Sequence, residues 1–246
     1  MNTLWRLIAP IEANGVTQMA IDEWLLEQHR LGCGPPCLRF YTWNPISISL
    51  GYHQHQYPNH WNSLQWHGDV IHIVRRPSGG RAVLHQGDLT YSLVMSGCSG
   101  RRRDIYAELC QFLIDGWKQL GIALHLGGDK RSYQRSHNCF GTATAADLVM
   151  ENGYKLIGSA QLYRDNCVLQ HGSIRLFPNP DLVRAVFGYD ISSPDILSHI
   201  QPENVLDALT AAAECSFNIK FQEQPLSLQE QTQAVNWAHS RTKTLD

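Results

Sequence analysis

One short segment, residues 75–85, combines three arginines with two adjacent glycines between two apparent strands. Arginine forks bind carboxylate or phosphate groups through paired hydrogen bonds, and glycine lets the backbone approach a ligand closely. The segment therefore indicates a site for an anionic or carbonyl-bearing ligand. A solvated basic hairpin is the alternative interpretation.

A possible nucleophile, Cys139, lies in a polar stretch ahead of a predicted strand, where loop side chains can meet a substrate. Lys155 follows beyond Asn152-Gly153, in a strand that could return toward this stretch. A neighbouring cation stabilises a thiolate and so makes a cysteine reactive. Spacing alone does not establish the contact, and a structural thiol is the alternative.

Small residues follow Lys155 on the same predicted strand, in the run Gly158-Ser159-Ala160. Ordinary strand packing favours branched or aromatic side chains, so this run predicts that another group approaches the backbone closely. That group could be a ligand's acyl chain or the N-terminal helix. His171 on the next strand is a core histidine or, if the two strands share a pocket, part of its wall.

Composition narrows the class of protein. The chain has 246 residues, 43% of them hydrophobic and 17% charged, so it can bury a substantial core. A net charge of -2 argues against a general nucleic-acid binder, although Arg101-Arg102-Arg103 could dock an acidic protein. The sequence contains no signal-peptide pattern and no stretch that would span a bilayer, which predicts a cytoplasmic protein without membrane partners.

The seven cysteines form an odd set without a regular framework, which indicates reduced thiols in an intracellular chain. Cys33 and Cys37, with His53 and His55 downstream, suggest a zinc site only superficially. Their spacing lacks a second paired knuckle, so we expect no metal.

Periodicity predicts the elements that position these residues. An amphipathic helix covers residues 17–28, and a second covers residues 104–120 with Gly121 at its C-terminal cap. Between them, strands are expected at residues 37–43, 47–50 and 69–74, and at residues 81–85 and 89–95, which we expect to continue the same sheet after the basic turn.

The second half of the chain begins with strands and ends with helices. Residues 147–150 and 154–163 form a hairpin across Asn152-Gly153, and residues 167–176 follow a second turn. Helices are predicted at residues 180–187 and 202–215, and a last one opens at Ser227 with Glu230 in a capping box. The order predicts an α+β fold of mixed or antiparallel sheets with flanking helices. We expect a single domain, residues 1–246, with the helical part from about residue 178 packed on it.

Taken together in order and spacing, these motifs resemble the biotin/lipoate protein ligase superfamily, and most closely its cysteine-dependent octanoyl-[acyl-carrier-protein]:protein octanoyltransferase branch. The motifs that carry the resemblance are Met19-Ala20-Ile21-Asp22-Glu23, Arg39-Phe40-Tyr41-Thr42-Trp43, Ser49-Leu50-Gly51-Tyr52, residues 75–85, Cys139-Phe140, residues 155–161 and Gln170-His171-Gly172. Arg81 stands where the ligases have a third glycine, which favours the transferase branch. The stretch Gly141-Thr142-Ala143-Thr144 departs from that branch by lacking a proline-containing loop.

The resemblance implies the catalytic domain fold of the superfamily and a mechanism. Octanoyl-acyl carrier protein would deliver a thioester, Cys139 would take the octanoyl group, and a lysine of a lipoyl domain would receive it as an amide. Lys155 would stabilise the thiolate and polarise the acyl carbonyl. Acceptors would be proteins such as the glycine cleavage H protein or the E2 subunits of 2-oxoacid dehydrogenases, and no nucleotide cofactor is required.

The resemblance also implies which residues line the acyl and pantetheine channel. These are Arg75, Arg76, Ser78, Gly79, Gly80, Arg81, His85, Gly158, Ser159, Ala160, Gln161 and His171. Three alternatives stay open: an ATP-dependent lipoate ligase in which Cys139 is incidental, an amidotransferase between lipoyl domains, and a non-catalytic acyl-binding or partner-binding module on the same fold.

Overall fold

A computed structural model of the protein describes residues 4–128 and 147–242, with side chains up to residue 240. Cys139 lies outside the described residues. The strands are β1 (Trp5–Ala13), β2 (Cys37–Trp43), β3 (Ser47–Leu50), β4 (Gln65–Trp66), β5 (Asp69–Val70), β6 (His72–Arg75), β7 (Val83–His85), β8 (Asp88–Ser96), β9 (Leu124–Leu126), β10 (Asp147–Met150), β11 (Lys155–Arg164), β12 (Cys167–Arg175) and β13 (Phe221–Glu223). The helices are α1 (Gly15–Arg30), α2 (Arg102–Gln119), α3 (Pro180–Phe187), α4 (Asp195–Ser198), α5 (Pro202–Phe217) and α6 (Leu228–Thr242), with a short 3₁₀ helix at Asn59–Ser63.

A large mixed sheet forms the centre of the molecule, with the strand order β13-β1-β2-β8-β12-β11-β10-β9 in the described ranges. β1 pairs in parallel with β2 and β13, and the remaining neighbours are antiparallel. Because side chains alternate along a strand, β2 directs Leu38 and Phe40 toward α2 and α5, and Arg39 and Tyr41 toward α1. The sheet is therefore covered on both faces, with α1 and α6 opposite α2 and α5.

Capping groups stabilise the helix ends, and those at Gly121 and at Ser227 were predicted from the sequence. Asn14 accepts a hydrogen bond from the Thr17 backbone N–H and caps α1, while α2 ends before Gly121, whose φ of +78° suits glycine. Ser227 and Glu230 form the expected capping box at α6, each side chain bonding to the other's backbone N–H. Both long predicted helices are confirmed: α1 is two residues longer at each end, and α2 begins two residues earlier and ends one residue earlier than predicted.

A smaller sheet with the order β6-β3-β7 packs on α3 and the buried Trp61. Here two expectations were wrong. The strand predicted at residues 69–74 is divided into β5 and β6, because Ile71 turns inward and its N–H bonds to the Leu64 carbonyl. The strands predicted between residues 37 and 95 do not form one sheet, because β8 pairs with β2 and β12 in the large sheet whereas β3 pairs with β6 and β7 in the small one.

The other predicted elements match the structure, whereas β1, β4, β9, β13 and α4 were not predicted from the sequence. β10 and β11 form the hairpin across Asn152-Gly153, and α5 packs against α2 where Gly116 lies close to Leu209. The α+β class with mixed sheets and flanking helices is confirmed. None of the helices in residues 4–128 and 147–242 combines the length and apolar character that crossing a lipid bilayer takes.

Candidate functional site

A cavity lies between the two sheets, bounded by α1, the basic turn and the middle strands of the large sheet. Eight of the predicted site residues line it: Arg76, Gly80, His85, Lys155, Gly158, Ser159, Ala160 and His171. The other lining residues are Met19, Tyr41, Trp43, Ser49, Val83, Thr90, Asp147, Gly172 and Ser173. The basic turn and the small-residue strand, about eighty positions apart in sequence, therefore meet at one cavity.

Five predicted site residues are not among those that line the cavity: Arg75, Ser78, Gly79, Arg81 and Gln161. Arg75 donates to the carbonyls of Gly51, Tyr52 and Gln54 and so holds the loop after β3. Gln161 bonds to Gln170 across the strand pair.

Lys155 forms a buried ion pair at the cavity wall. Its Nζ lies 2.7 Å from Asp147 Oδ1, and the two side chains are 3% and 4% exposed. A Cβ added to Gly158 would lie 3.2 Å from Lys155 Cε, so the lysine side chain runs over this glycine. The group that approaches the small-residue strand at this point is therefore the side chain of Lys155 itself.

The basic turn is held by Arg76 rather than left open. The Arg76 guanidinium, in a residue that is 6% exposed, donates to the carbonyls of Gly79, Arg81 and Ser49. A Cβ added to Gly51 would lie 1.8 Å from the Gly80 carbonyl oxygen, so the two backbones are in direct contact. Glycine at residue 51 is thus required for the turn to close against β3.

A chain of hydrogen bonds joins the turn to α1 through His171 of the large sheet. Ser78 Oγ bonds to His171 Nε2, and His171 Nδ1 lies 2.8 Å from Asp22 Oδ2 on α1. Asp22 is fully buried and also accepts hydrogen bonds from Arg39 Nε and the Tyr41 hydroxyl, each at 2.8 Å. Burial alone would raise the pKa of Asp22, but the Arg39 charge and the hydrogen bond and charge of His171 outweigh it and lower the pKa to about 2.

A second serine, histidine and aspartate form a similar chain of hydrogen bonds at the other side of the cavity. Ser49 Oγ lies 2.8 Å from His85 Nε2, and His85 Nδ1 lies 2.8 Å from Asp88 Oδ2. Asp88 Oδ2 also accepts a hydrogen bond from Ser173 Oγ at 2.7 Å, and the His85 ring stacks on Trp43 with centroids 3.7 Å apart. Burial lowers the pKa of His85, against the opposing effect of Asp88.

Sequence reasoning missed the three aspartates that hold these groups, Asp22, Asp88 and Asp147. A signal was present for Asp22, because it lies on the apolar side of α1 and its partner Arg39 lies in an otherwise apolar strand. Charged residues at such positions are rarely buried unless they are paired. Asp88 and Asp147 open strands and carry no comparable signal.

Metal ligation finds no support in the described ranges, where no three His, Cys, Asp or Glu side chains cluster as a metal site. Cys33 is exposed and Cys37 is buried, and burial raises the pKa of the Cys37 thiol to about 12.

A protein-family model, the lipoyl protein ligase A/B catalytic domain, matches residues 14–208. The octanoyltransferase LipM of Symbiobacterium thermophilum is 40% identical over 72% of this chain and 66%, about two thirds, of its own length. The octanoyltransferase LipM of Moorella thermoacetica is 38% identical over 74% of this chain and 68% of the relative. That of Brevibacillus brevis is 31% identical over 94% and 84%, respectively.

Solved structures agree on the fold. A lipoate-protein ligase A bound with ATP superposes with a TM-score of 0.75 at 21% identity, covering 97% of this chain and 95% of the other. A bipartite lipoate protein ligase from Thermoplasma acidophilum gives 0.73 at 20% identity, covering 97% and 93%. The predicted catalytic domain fold and the prediction of an acyltransferase are confirmed. The chain belongs to the lipoyl protein ligase A/B catalytic domain family and, within it, to the octanoyltransferase branch.

Proposed function

We propose that this enzyme transfers an octanoyl group from octanoyl-acyl carrier protein to a lysine of a lipoyl domain, with Cys139 as the transient carrier of the acyl group. The Cys139 thiolate attacks the thioester carbonyl, the carrier thiol leaves, and an acyl-enzyme thioester remains. The lysine amine then forms a bond to the same carbonyl carbon as the bond to Cys139 sulfur breaks.

The observation that carries the proposal is the buried ammonium group of Lys155 at the cavity wall. An ammonium group that is nearly inaccessible to solvent, in a cavity lined largely by apolar and small residues, interacts strongly with developing negative charge. Asp147 holds this ammonium at a fixed position beside Gly158. We assign Lys155 the stabilisation of the Cys139 thiolate and of the oxyanion that forms on the acyl carbonyl.

The cavity supports an acyl substrate. Met19, Trp43 and Val83 offer apolar wall, and Gly80, Gly158 and Gly172 also line the cavity. Arg76 and the turn that it holds form the remaining wall, where we place the polar end of the donor.

The energetics need no nucleotide. Exchange of one thioester for another is nearly balanced, and conversion of a thioester to an amide makes the second step favourable. We propose the glycine cleavage H protein or the E2 subunits of 2-oxoacid dehydrogenases as acceptors. We place the reaction in the cytoplasm, because the odd set of seven cysteines suits a reducing compartment.

The test is a transfer assay with octanoyl-acyl carrier protein and an apo lipoyl domain, without ATP. We expect octanoylation of the domain by the unsubstituted enzyme and its loss in Cys139→Ala. Modification that appears only when free octanoate and ATP are supplied would instead assign a ligase. Transfer that is unchanged in Cys139→Ala would remove the cysteine from the reaction.

A further inference from the structure

The second half of the proposed reaction requires a proton acceptor. A lysine amine is largely protonated near neutral pH and attacks a carbonyl only after losing a proton. Lys155 does not suit this role, because its ammonium is already paired with the Asp147 carboxylate at 2.7 Å. Another group of the cavity must therefore receive the proton.

We propose that Ser49 contacts the attacking amine and passes its proton to His85, so that Ser49 is a catalytic residue and His85 a positioning residue for the second half-reaction. This inference rests on the proposed function. The lysine ammonium loses its first proton to Ser49 Oγ while the Ser49 proton moves to His85 Nε2, and His85 later returns it to solvent. The neutral amine then attacks: the nitrogen–carbon bond forms, the carbon–sulfur bond to Cys139 breaks, and the second proton of the amine passes to the departing Cys139 sulfur, which leaves as a thiol.

The hydrogen bonds already have the required direction. A carboxylate only accepts, so Asp88 Oδ2 receives the His85 Nδ1–H at 2.8 Å. Nε2 of His85 is then an acceptor, and the Ser49 hydroxyl donates to it at 2.8 Å. Arg76 Nη1 lies 3.2 Å from Ser49 Oγ and donates to it, which stabilises negative charge on this oxygen as its proton leaves.

The hydrogen-bond chain of Ser49, His85 and Asp88 differs from the one that begins at Ser78 in its position relative to the cavity. Ser49 and His85 both line the cavity, whereas Ser78, the serine of the other chain, is not among the lining residues. Asp88 also bonds to Ser173, which pairs across the strands with Gly158, the residue over which the Lys155 side chain runs. His171 pairs with Ala160, two positions further along β11. Ser49 and His85 therefore belong to the end of the cavity where we place the acyl carbonyl.

The surroundings of His85 keep the ring neutral and able to accept. Burial lowers its pKa, and the nearby charges of Arg76 and His171 act in the same direction, while Asp88 opposes them. The indole of Trp43 covers one ring face. Lys155 and Asp147 line the same cavity as an ion pair.

The experiment separates the two half-reactions in the full-length enzyme. Octanoyl-acyl carrier protein is mixed with enzyme and the octanoyl-Cys139 species is followed by intact mass spectrometry. The acyl-enzyme is then isolated and given an apo lipoyl domain over a range of pH. Ser49→Ala and His85→Gln are compared with the unsubstituted enzyme. The matched controls are Ser78→Ala and His171→Gln, which disrupt the equally buried hydrogen-bond chain of Ser78, His171 and Asp22.

We expect Ser49→Ala and His85→Gln to form the acyl-enzyme at close to the normal rate but to transfer its acyl group about 100-fold more slowly. In both variants, the acid limb of the plot of transfer rate against pH shifts to higher pH. Hydroxylamine, which is uncharged at neutral pH, cleaves all the acyl-enzymes alike. In the matched controls any loss falls on both half-reactions together.

Equal slowing of both half-reactions in Ser49→Ala and His85→Gln, or normal transfer to the lipoyl domain in both, would overturn the inference while leaving the proposed function intact. If the unsubstituted enzyme forms no octanoyl-Cys139, the proposed function itself fails.

Discussion

At the scale of single residues, the buried aspartate on α1 is the group on which several cavity residues depend. Asp22 accepts hydrogen bonds from Arg39, Tyr41 and His171 and is itself fully buried. Removing one partner of a buried ion pair leaves the other charge uncompensated. We therefore expect Asp22→Asn to lower the free energy of unfolding by about 3–5 kcal/mol. Urea denaturation near neutral pH measures this, and a loss below about 1 kcal/mol, the level of a surface pair, would contradict it.

The same carboxylate predicts how stability depends on pH. Its pKa is about 2 in the folded protein, against an ordinary value of 3.8. Asp22 therefore contributes stability above the ordinary value that is lost as the pH falls toward 2. The contribution is about 2 kcal/mol, because one pKa unit corresponds to about 1.4 kcal/mol. Unfolding free energies measured across this range should fall more steeply with acid than those of Asp22→Asn, and parallel curves would exclude the assignment.

Variants of the Lys155–Asp147 ion pair can separate the effect of Lys155 on stability from its effect on acylation. Lys155→Met should slow acylation of Cys139 by about 100-fold, since it removes a buried group that stabilises negative charge. It should also destabilise the protein, because the buried Asp147 carboxylate loses the opposite charge of Lys155. Asp147→Asn combined with Lys155→Met removes both charges, so stability should recover while acylation stays slow. Recovery of acylation in the double variant would show that Lys155 acts only on folding.

At the scale of elements, the closed basic turn depends on backbone contact with β3. Gly51→Ala places a methyl group against the Gly80 carbonyl, so we expect a destabilisation of about 1–3 kcal/mol or more and a weaker hold on the acyl donor. Gly79→Ala is the matched control for stability, because a Cβ there meets nothing within 4 Å. Thermal unfolding of the two variants measures the difference. Equal melting temperatures would show that the turn does not pack as described.

Local pattern predicted the elements better than their pairing. Apolar spacing and caps located α1, α2 and the β10–β11 hairpin, because those signals lie within a few residues of one another. Which sheet β8 joins depends on β2 and β12, which are distant in sequence, and no local pattern encodes this. The break at Ile71 has a different cause: its N–H bonds to the carbonyl of Leu64, only seven residues away, where β4 and β5 form a short hairpin that the sequence analysis did not predict.

For the candidate site too, some features could be predicted from the sequence and others could not. Residue type alone indicated the basic turn, the lysine and the small-residue strand, and these meet at the cavity. Sequence did not reveal that Arg75 holds a loop instead of lining the cavity, nor that Asp88 and Asp147 orient His85 and Lys155. Each of these depends on a hydrogen bond whose partner is fixed only by the folded chain.

At the scale of the whole molecule, we propose that residues 1–246 form one domain with the C-terminal helices as part of its core. Gly116 of α2 lies against α5, where an added Cβ would be 2.7 Å from Leu209 Cδ2. Gly116→Ala should therefore destabilise the protein by about 1–3 kcal/mol, although alanine favours helix. Tryptophan fluorescence and far-ultraviolet circular dichroism should report one common transition, shifted together. Two separate transitions would indicate that the helical part folds independently.

The most direct measurement of the central claim is intact and peptide mass spectrometry of the enzyme after brief mixing with octanoyl-acyl carrier protein and no acceptor. We predict one added octanoyl group, mapped to Cys139, removed by hydroxylamine, and transferred to an apo lipoyl domain when that domain is added. A protein that octanoylates the lipoyl domain at full rate while position 139 is never acylated would contradict the account.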